Sequence, residues 1–263
     1  MKRIFTILPM IIMVFMAKAQ SCPDDNHPHA IDLGLPSGTK WACCNVDTDH
    51  PENQSPTNYG GYYAWGETDT KSTYSWSTYT HCDGSVSTCH NLGSDIAGTQ
   101  YDVAHVKWGG SWVMPSKEQL DELKNNCPST WTMQNGVRGR LFTGTNGGSI
   151  FLPAAGYRDD SYLIDAGSNG IYWSSTHVWS WTQNAYYLYF GYGGTYDTYR
   201  YLGFTVRPVI DEITSTNLPK TPSVKTNNAV YNLFGIKVAD FISGTSILRP
   251  GIYIVNGKKK VIK

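Results

Sequence analysis

Helical spacing of apolar residues is confined to one stretch of this chain, while short alternating or continuous apolar runs recur throughout. The helical stretch is Trp108–Cys127. Leu120, Leu123 and Cys127 share one face, and Glu118, Asp121, Glu122 and Lys124 take the others, which predicts an amphipathic helix from about Lys117 to Asn126. Ser116 stands three residues before Gln119, the spacing of a capping box. Pro115 favours extended backbone at Met114, so the run Ser111–Met114 reads as a short strand that ends before the helix. Asp102 is placed to cap a helical turn carrying Val103 and Val106.

The remaining pattern predicts strands. Ile31–Leu35 and Lys40–Val46 flank a Pro-Ser-Gly turn and read as a hairpin, and Tyr59–Glu67 reads as an aromatic strand. Gly139–Thr143 and Ser149–Leu152 are joined through Asn146-Gly147, a strong hairpin signal. Ile171–Ser174, Ala185–Phe190 and Leu202–Val209 complete this unit. In Ala185–Phe190 a period of two puts Tyr186, Leu188 and Phe190 on the expected core face, with Tyr187 and Tyr189 opposite. Gly191–Tyr201 reads as a Gly/Tyr loop, and Thr68–Ser94 as a long Ser/Thr/Tyr-rich insertion. From Ile210 onward Thr, Ser, Pro and Lys replace the aromatics, predicting a linker over 211–228. Strand patterns resume at Val230–Leu233, Ile236–Val238 and Gly251–Val255, so 229–263 is expected to form a small β unit.

The N-terminus changes the picture of where the protein works. Lys2 and Arg3 precede an apolar run from Ile4 to Met16, followed by Ala17-Lys18-Ala19, the layout of a secretory signal over residues 1–19. The run is shorter than the about 20 residues a membrane span requires. The lipoprotein alternative at Cys22 lacks a large aliphatic residue three positions earlier. Residues 20–28 form a polar lead-in to a domain at 29–210. Cleavage removes three cations from a formally neutral precursor and leaves a mature charge of about −3, which offers no long-range attraction to nucleic acid or anionic lipid. No transmembrane segment is expected after cleavage.

All six cysteines survive cleavage, and export favours disulfides. Cys82 and Cys89 flank Asp83-Gly84 and are the candidate local bridge. Cys43 and Cys44 are expected to point to opposite faces of a strand. His81-Cys82 and Cys89-His90 have the wrong gap for the common zinc spacings, and a disulfide would consume both thiols. Asp24-Asp25-Asn26-His27-Pro28-His29 could catch a metal, but it reads as a mobile terminus. Glu67 and Asp159-Asp160 are isolated carboxylates with no visible catalytic partner, and Arg158 is expected to pair with one of the latter. No cofactor or metal is expected.

Six blocks, HAIDLGLPSGTKWACCNV (29–46), YGGYYAWGET (59–68), WGGSWVMPSKEQLDEL (108–123), SIFLPAAGYR (149–158), YWSST (172–176) and GFTVRPV (203–209), occur in this order. Together they resemble the Fibrobacter succinogenes major paralogous domain family of secreted bacterial proteins. That family is similar to the C-type-lectin-like fold in its sulfatase-modifying, formylglycine-generating branch. The resemblance implies an α+β domain with a twisted antiparallel sheet, few helices and long loops. Formylglycine-generating enzymes use a late cysteine pair, whereas no cysteine follows Cys127 here, so that activity does not carry over. The lectin calcium motifs Glu-Pro-Asn and Trp-Asn-Asp are absent as well. VYNLFGIKV (230–238) and LRPGIYIVNGKKKVIK (248–263) look like a short sorting tail of the type IX secretion kind, which implies contact with secretion machinery.

Binding is therefore the expectation. Trp179, Trp181, Tyr192, Tyr196 and Tyr199 fall in loops too rich in glycine to bury them all, and such side chains favour recognition of glycan or protein. Tyr62, Tyr63 and Trp65 are the fallback site. The resulting reading is a non-catalytic binding module, secreted or on the outer cell surface, with periplasmic retention the alternative. A divergent sulfatase-modifying enzyme and a structural part of a surface assembly are the competing readings. Variable proteins of diversity-generating retroelements use the same fold with substituted last loops, and Gly191–Tyr201 has that composition.

Overall fold

The computed structural model describes residues 20, 22, 27–47 and 54–210, together with the backbone of four strands between 229 and 262. The signal and linker readings, and most of the lead-in, lie outside the described residues. The chain divides into two compact units, Met1–Glu212 and Ile213–Lys263. In the first, β1 (Ala30–Asp32), β2 (Lys40–Ala42), α1 (Val103–Trp108), β3 (Trp112–Val113) and α2 (Lys117–Asn126) are followed by a run of strands. These are β4 (Ser129–Gln134), β5 (Val137–Thr143), β6 (Ser149–Pro153), β7 (Tyr157–Asp159), β8 (Tyr162–Ile164), β9 (Ile171–His177), β10 (Asn184–Tyr189), β11 (Gly194–Tyr199) and β12 (Val209–Ile210). The sheets run β1-β2-β12-β3, β4-β5-β6, β7-β8 and β11-β10-β9. Their ladders are antiparallel, so the architecture is mostly antiparallel sheet with few helices, within the α+β or mostly-β class. Among the described residues no helix is long and apolar enough to cross a membrane.

Local sequence explains the best-marked elements. Helix α2 keeps the expected bounds because both halves of the capping box form. The Ser116 side chain accepts the Gln119 N–H at 3.2 Å, and Gln119 Oε1 accepts the Ser116 N–H at 2.9 Å. Leu120 and Leu123 are buried with Cys127 against Leu33, Trp41, Phe142 and Tyr172. Each such leucine contributes about 1.5–3 kcal/mol by leaving water. Asp102 caps α1, as its position implied.

Strands β9 and β10 lie between two cores, which is why each carries apolar side chains on both faces. Along β9, Tyr172 enters the core of α2, while Ile171 and Trp173 enter a second core with Trp65, Met114 and Phe204. Trp173 stacks on Phe204 with centroids 4.1 Å apart. Its buried indole N–H donates to the Tyr63 carbonyl at 2.8 Å, so burial strands no donor there.

Three expectations need correction. Tyr59–Glu67 is buried but is not a ladder strand. Gly60 has φ +75, and a Cβ there would lie 2.6 Å from the Val46 carbonyl, so the backbone turns into the core and only Tyr63 bridges to Phe204. Gly191–Tyr201 is not all loop, because Thr195, Tyr196, Thr198 and Tyr199 favour extended backbone and β11 forms once Gly193 has supplied the turn at φ +62. Leu202–Val209 pairs through isolated bridges and the two-residue β12 rather than one strand.

In the second unit β13 (Ala229–Tyr231), β14 (Lys237–Asp240), β15 (Gly251–Val255) and β16 (Lys258–Ile262) form an antiparallel sheet in the order β14-β13-β15-β16.

Candidate functional site

The β10–β11 hairpin pairs Asn184 with Tyr199 at one end and Tyr189 with Gly194 at the other. Because side chains alternate across a strand, Tyr187, Tyr189 and Tyr196 share a face. Their rings form a ladder with Tyr192. Tyr187, Tyr189 and Tyr196 lie 6.3 Å from one another, and Tyr192 lies 5.6 Å from Tyr189 and 6.2 Å from Tyr196. The ladder is anchored at Tyr187, which packs edge-on against Phe204 at 5.2 Å. It opens to solvent at Tyr192, which is 82% exposed. Beside it is a hollow of about 290 Å³ lined by Tyr157, Asp165, Tyr187, Tyr189, Thr198 and Phe204, among others. Burial pushes the Tyr187 hydroxyl up to about 12 and raises Tyr157 as well. Both phenols therefore stay protonated at neutral pH and can donate hydrogen bonds beside the acceptor oxygens of Asp165.

The other end of the hairpin carries different rings. Trp179 and Trp181 are 89% and 56% exposed in the connection between β9 and β10. Six-residue β10 holds them about 17 Å of strand from the Tyr192 turn, at 3.4 Å per residue. Their loop is tied at its base. The Thr182 carbonyl accepts Arg200 Nη1 at 2.8 Å and faces His177 Nε2 at 3.1 Å. Arg200 is fully buried, donates also to the Tyr79 hydroxyl and the His90 carbonyl, and lies 4.8 Å over the Trp65 ring. Tyr199 stacks on Tyr201 and meets Trp76 at 5.3 Å.

Trp179, Trp181, Tyr192, Tyr196 and Tyr199 are all exposed, but they do not form one patch. Tyr192 and Tyr196 belong to the ladder, Tyr199 belongs with Trp76 and Tyr201, and Trp179 and Trp181 occupy a loop of their own. Tyr157, Tyr187 and Tyr189 complete the face beyond the five rings expected from sequence. The period of two in Ala185–Phe190, which places Tyr187 and Tyr189 on one face, is the sequence signal for them. Of the fallback residues, Tyr63 and Trp65 are buried in the core, and Tyr62 is nearly so at the edge of a second hollow.

The other candidate chemistry is accounted for. Cys82 and Cys89 form a disulfide, which removes both thiols from metal binding. His81 faces the Gly66 carbonyl, and His90 faces Asp83. Glu67 accepts from the N–H and hydroxyl of Thr80 and pairs with Lys71 at 2.7 Å, so it anchors the insertion. Arg158 lies over the Tyr62 ring instead of pairing with its acidic neighbours. Burial pushes the Cys127 thiol up to about 11, which leaves it a poor nucleophile. Cys43 and Cys44 follow β2 rather than alternating within it, and their sulfurs meet different partners, Cys43 the rings of His27 and His29 and Cys44 the Gln54 side chain at 3.9 Å. Cys22, His27, His29 and Cys43 bring one donor atom each within 4.8 Å of the others.

No protein-family model, curated protein or solved structure matches the chain.

Proposed function

We propose that this protein is an exported, non-catalytic binding module that holds its ligand on the tyrosine face of the β10–β11 hairpin. The observation that carries the reading is the ladder Tyr187–Tyr189–Tyr196–Tyr192, running from a fixed base at Phe204, where the Tyr157–Asp165 hollow lies, to an exposed tip at Tyr192. Tyrosine offers wide contact area at small entropic cost, and rings packed on one another are already ordered before a ligand arrives. The hollow lies at the lower end of the about 300–1,000 Å³ typical of small-ligand sites. Flat rings next to a carboxylate and a threonine suit a saccharide, whose apolar face stacks while its hydroxyls hydrogen-bond. A protein ligand would use the same rings.

The C-type-lectin-like fold and membership of the paralogous domain family rest on the six ordered sequence blocks, and the antiparallel, helix-poor architecture accommodates them. Location at the outer cell surface or in the medium rests on the N-terminal signal and the sorting-like tail. The four-stranded second unit is the part that would engage secretion machinery.

The test is a glycan and protein-ligand screen of the protein, repeated with Tyr192→Ala, Tyr196→Ala and the pair Trp179→Ala, Trp181→Ala. Tyr192 and Tyr196 are expected to weaken binding by at least about tenfold, a loss of about 1.4 kcal/mol. Binding lost only in the tryptophan variants would move the site to the far end of the hairpin. Binding untouched by all of them would end the reading.

A further inference from the structure

The lead-in segment is not free. Gln20 is buried, its amide N–H₂ donates to the Cys43 carbonyl at 3.0 Å, and its Oε1 accepts the Phe151 N–H at 2.6 Å from β6. Beyond this anchor, Cys22, His27, His29 and Cys43 each present one donor atom, and these atoms all lie within 4.8 Å of one another. Cys43 Sγ is 3.1 Å from His27 Nδ1 and 3.7 Å from His29 Nδ1.

From this geometry we propose a zinc site with ligands Cys22, His27, His29 and Cys43. A tetrahedral ion with Zn–S of about 2.3 Å and Zn–N of about 2.0–2.1 Å sets N···S edges near 3.5 Å and an S···S edge near 3.8 Å. The two N···S separations at Cys43 bracket that edge, and the other donor pairs, all within 4.8 Å, close to tetrahedral edges with shifts of at most about 1.5 Å. Two thiolates and two imidazoles are the set that borderline-soft zinc prefers over magnesium or calcium.

The charge also balances. Binding displaces the thiol protons to solvent, and a divalent ion with two thiolates is neutral, so no net charge is buried beside the Arg207 guanidinium. Arg207 itself is held by Asn45 Oδ1, the Ala42 carbonyl and the Phe151 carbonyl, which fixes the strand ends beneath the cysteines. The His29 N–H donates to Cys43 Sγ at 3.1 Å, a contact that orients the sulfur and can persist with a metal bound. A hollow of about 290 Å³ lined by Cys22, His27, Ser55 and Asn135, among others, gives an ion a path from solvent. The gap of four residues between Cys22 and His27, followed by His29 after one, matches no common zinc spacing. The fold, not the spacing, assembles the set.

In an oxidising compartment the competitor is a disulfide between Cys22 and Cys43, and the two states exclude each other. The experiment is metal analysis of the untagged protein purified without chelator, followed by zinc removal and titration with zinc and cobalt(II). The proposal expects close to one zinc per chain and, with cobalt, the intense visible bands of a tetrahedral thiolate complex. Cys43→Ser and His27→Gln should each weaken zinc binding by more than about 100-fold, beyond the 10–100-fold lost when only an outer partner is removed. Should Cys43→Ser fail to fold, His27→Gln decides, because that ring is partly solvent-facing. His90→Gln, at the Cys82–Cys89 bridge, should bind zinc as the parent does. A metal-free protein whose peptide map shows Cys22 joined to Cys43 overturns the proposal. So does zinc binding unchanged in His27→Gln, or an octahedral cobalt spectrum.

Discussion

Truncating Asp102 to alanine tests whether one carboxylate ties α1, β3 and the start of α2 together. Its Oδ1 accepts the N–H groups of Ala104 and His105 at 2.8 and 3.1 Å, and its Oδ2 those of Gly98 and Met114 at 2.9 and 3.0 Å. Losing the helix cap costs about 1 kcal/mol. The Met114 N–H is buried, and leaving it without an acceptor costs about 1–3 kcal/mol more. The Gly98 N–H lies in a more open segment, where water can replace the carboxylate. Against these losses, burial pushes the Asp102 carboxyl up despite its four donors, so removing the buried charge returns part of the desolvation cost. The expected net loss is about 2–3 kcal/mol, which for a unit of this size is a fall in Tm of about 4–12 °C. Urea unfolding followed by tryptophan fluorescence measures it, with the slope of the transition checking that cooperativity is unchanged. Asp102→Asn keeps one oxygen and turns an amide donor towards the other two N–H groups, so it should fall between parent and alanine variant. A loss below about 0.5 kcal/mol for Asp102→Ala, or an asparagine variant as stable as the parent, would refute the account.

Three further outcomes are expected. Burial, with Arg200 nearby, holds the His177 and His81 imidazoles below the usual 6.5. The unfolded chain therefore takes up protons first, so their contribution is intact above about pH 6.5 and is lost as pH falls through the folded values. His177→Gln should flatten the acid limb of a plot of urea midpoint against pH, and an unchanged slope would count against this assignment. Replacing Cys82 and Cys89 together by alanine removes a bridge across a sequence separation of 7 and should destabilise the insertion by about 2 kcal/mol, read as faster proteolysis within Thr68–Ser94. Gly156→Ala would force a Cβ to 2.1 Å from the Ile164 carbonyl at φ +66, so a loss of more than about 2 kcal/mol is expected in thermal unfolding, whereas Gly136→Ala, with φ +80 but open space around it, should cost less.

The legible parts of the fold were those governed by neighbours in sequence. The capping box of α2, the Asp102 cap and the Asn146-Gly147 hairpin each use residues within a few positions, so spacing alone identifies them. Tyr59–Glu67 departs from the expected strand because an apolar aromatic run has the same pattern whether it joins a ladder or threads a core. Only the packing of Gly60 against Val46 decides between these. β11 is masked in the sequence by the glycines of its turn, whose loop signal overlies the Thr/Tyr alternation that follows them.

The candidate sites divide along the same line. Exposure of Trp179, Trp181, Tyr192, Tyr196 and Tyr199 was legible, since no core of this size could take them all. Their separation into two ends of a hairpin was not, because it depends on where β10 begins and ends. The cysteine–histidine group was still less visible. Cys43 stands 21 positions after Cys22 in the sequence, and they meet only because Gln20 docks the lead-in against β6 while β2 brings Cys43 alongside. One buried glutamine thus converts what reads as a polar terminus into one wall of a four-ligand cluster. Cutting that tether should loosen the cluster while leaving the tyrosine ladder intact. Gln20→Ala is expected to weaken zinc binding without changing ligand binding at Tyr192 and Tyr196. If both fell together, the cluster and the ladder would have to be one coupled site rather than two independent ones.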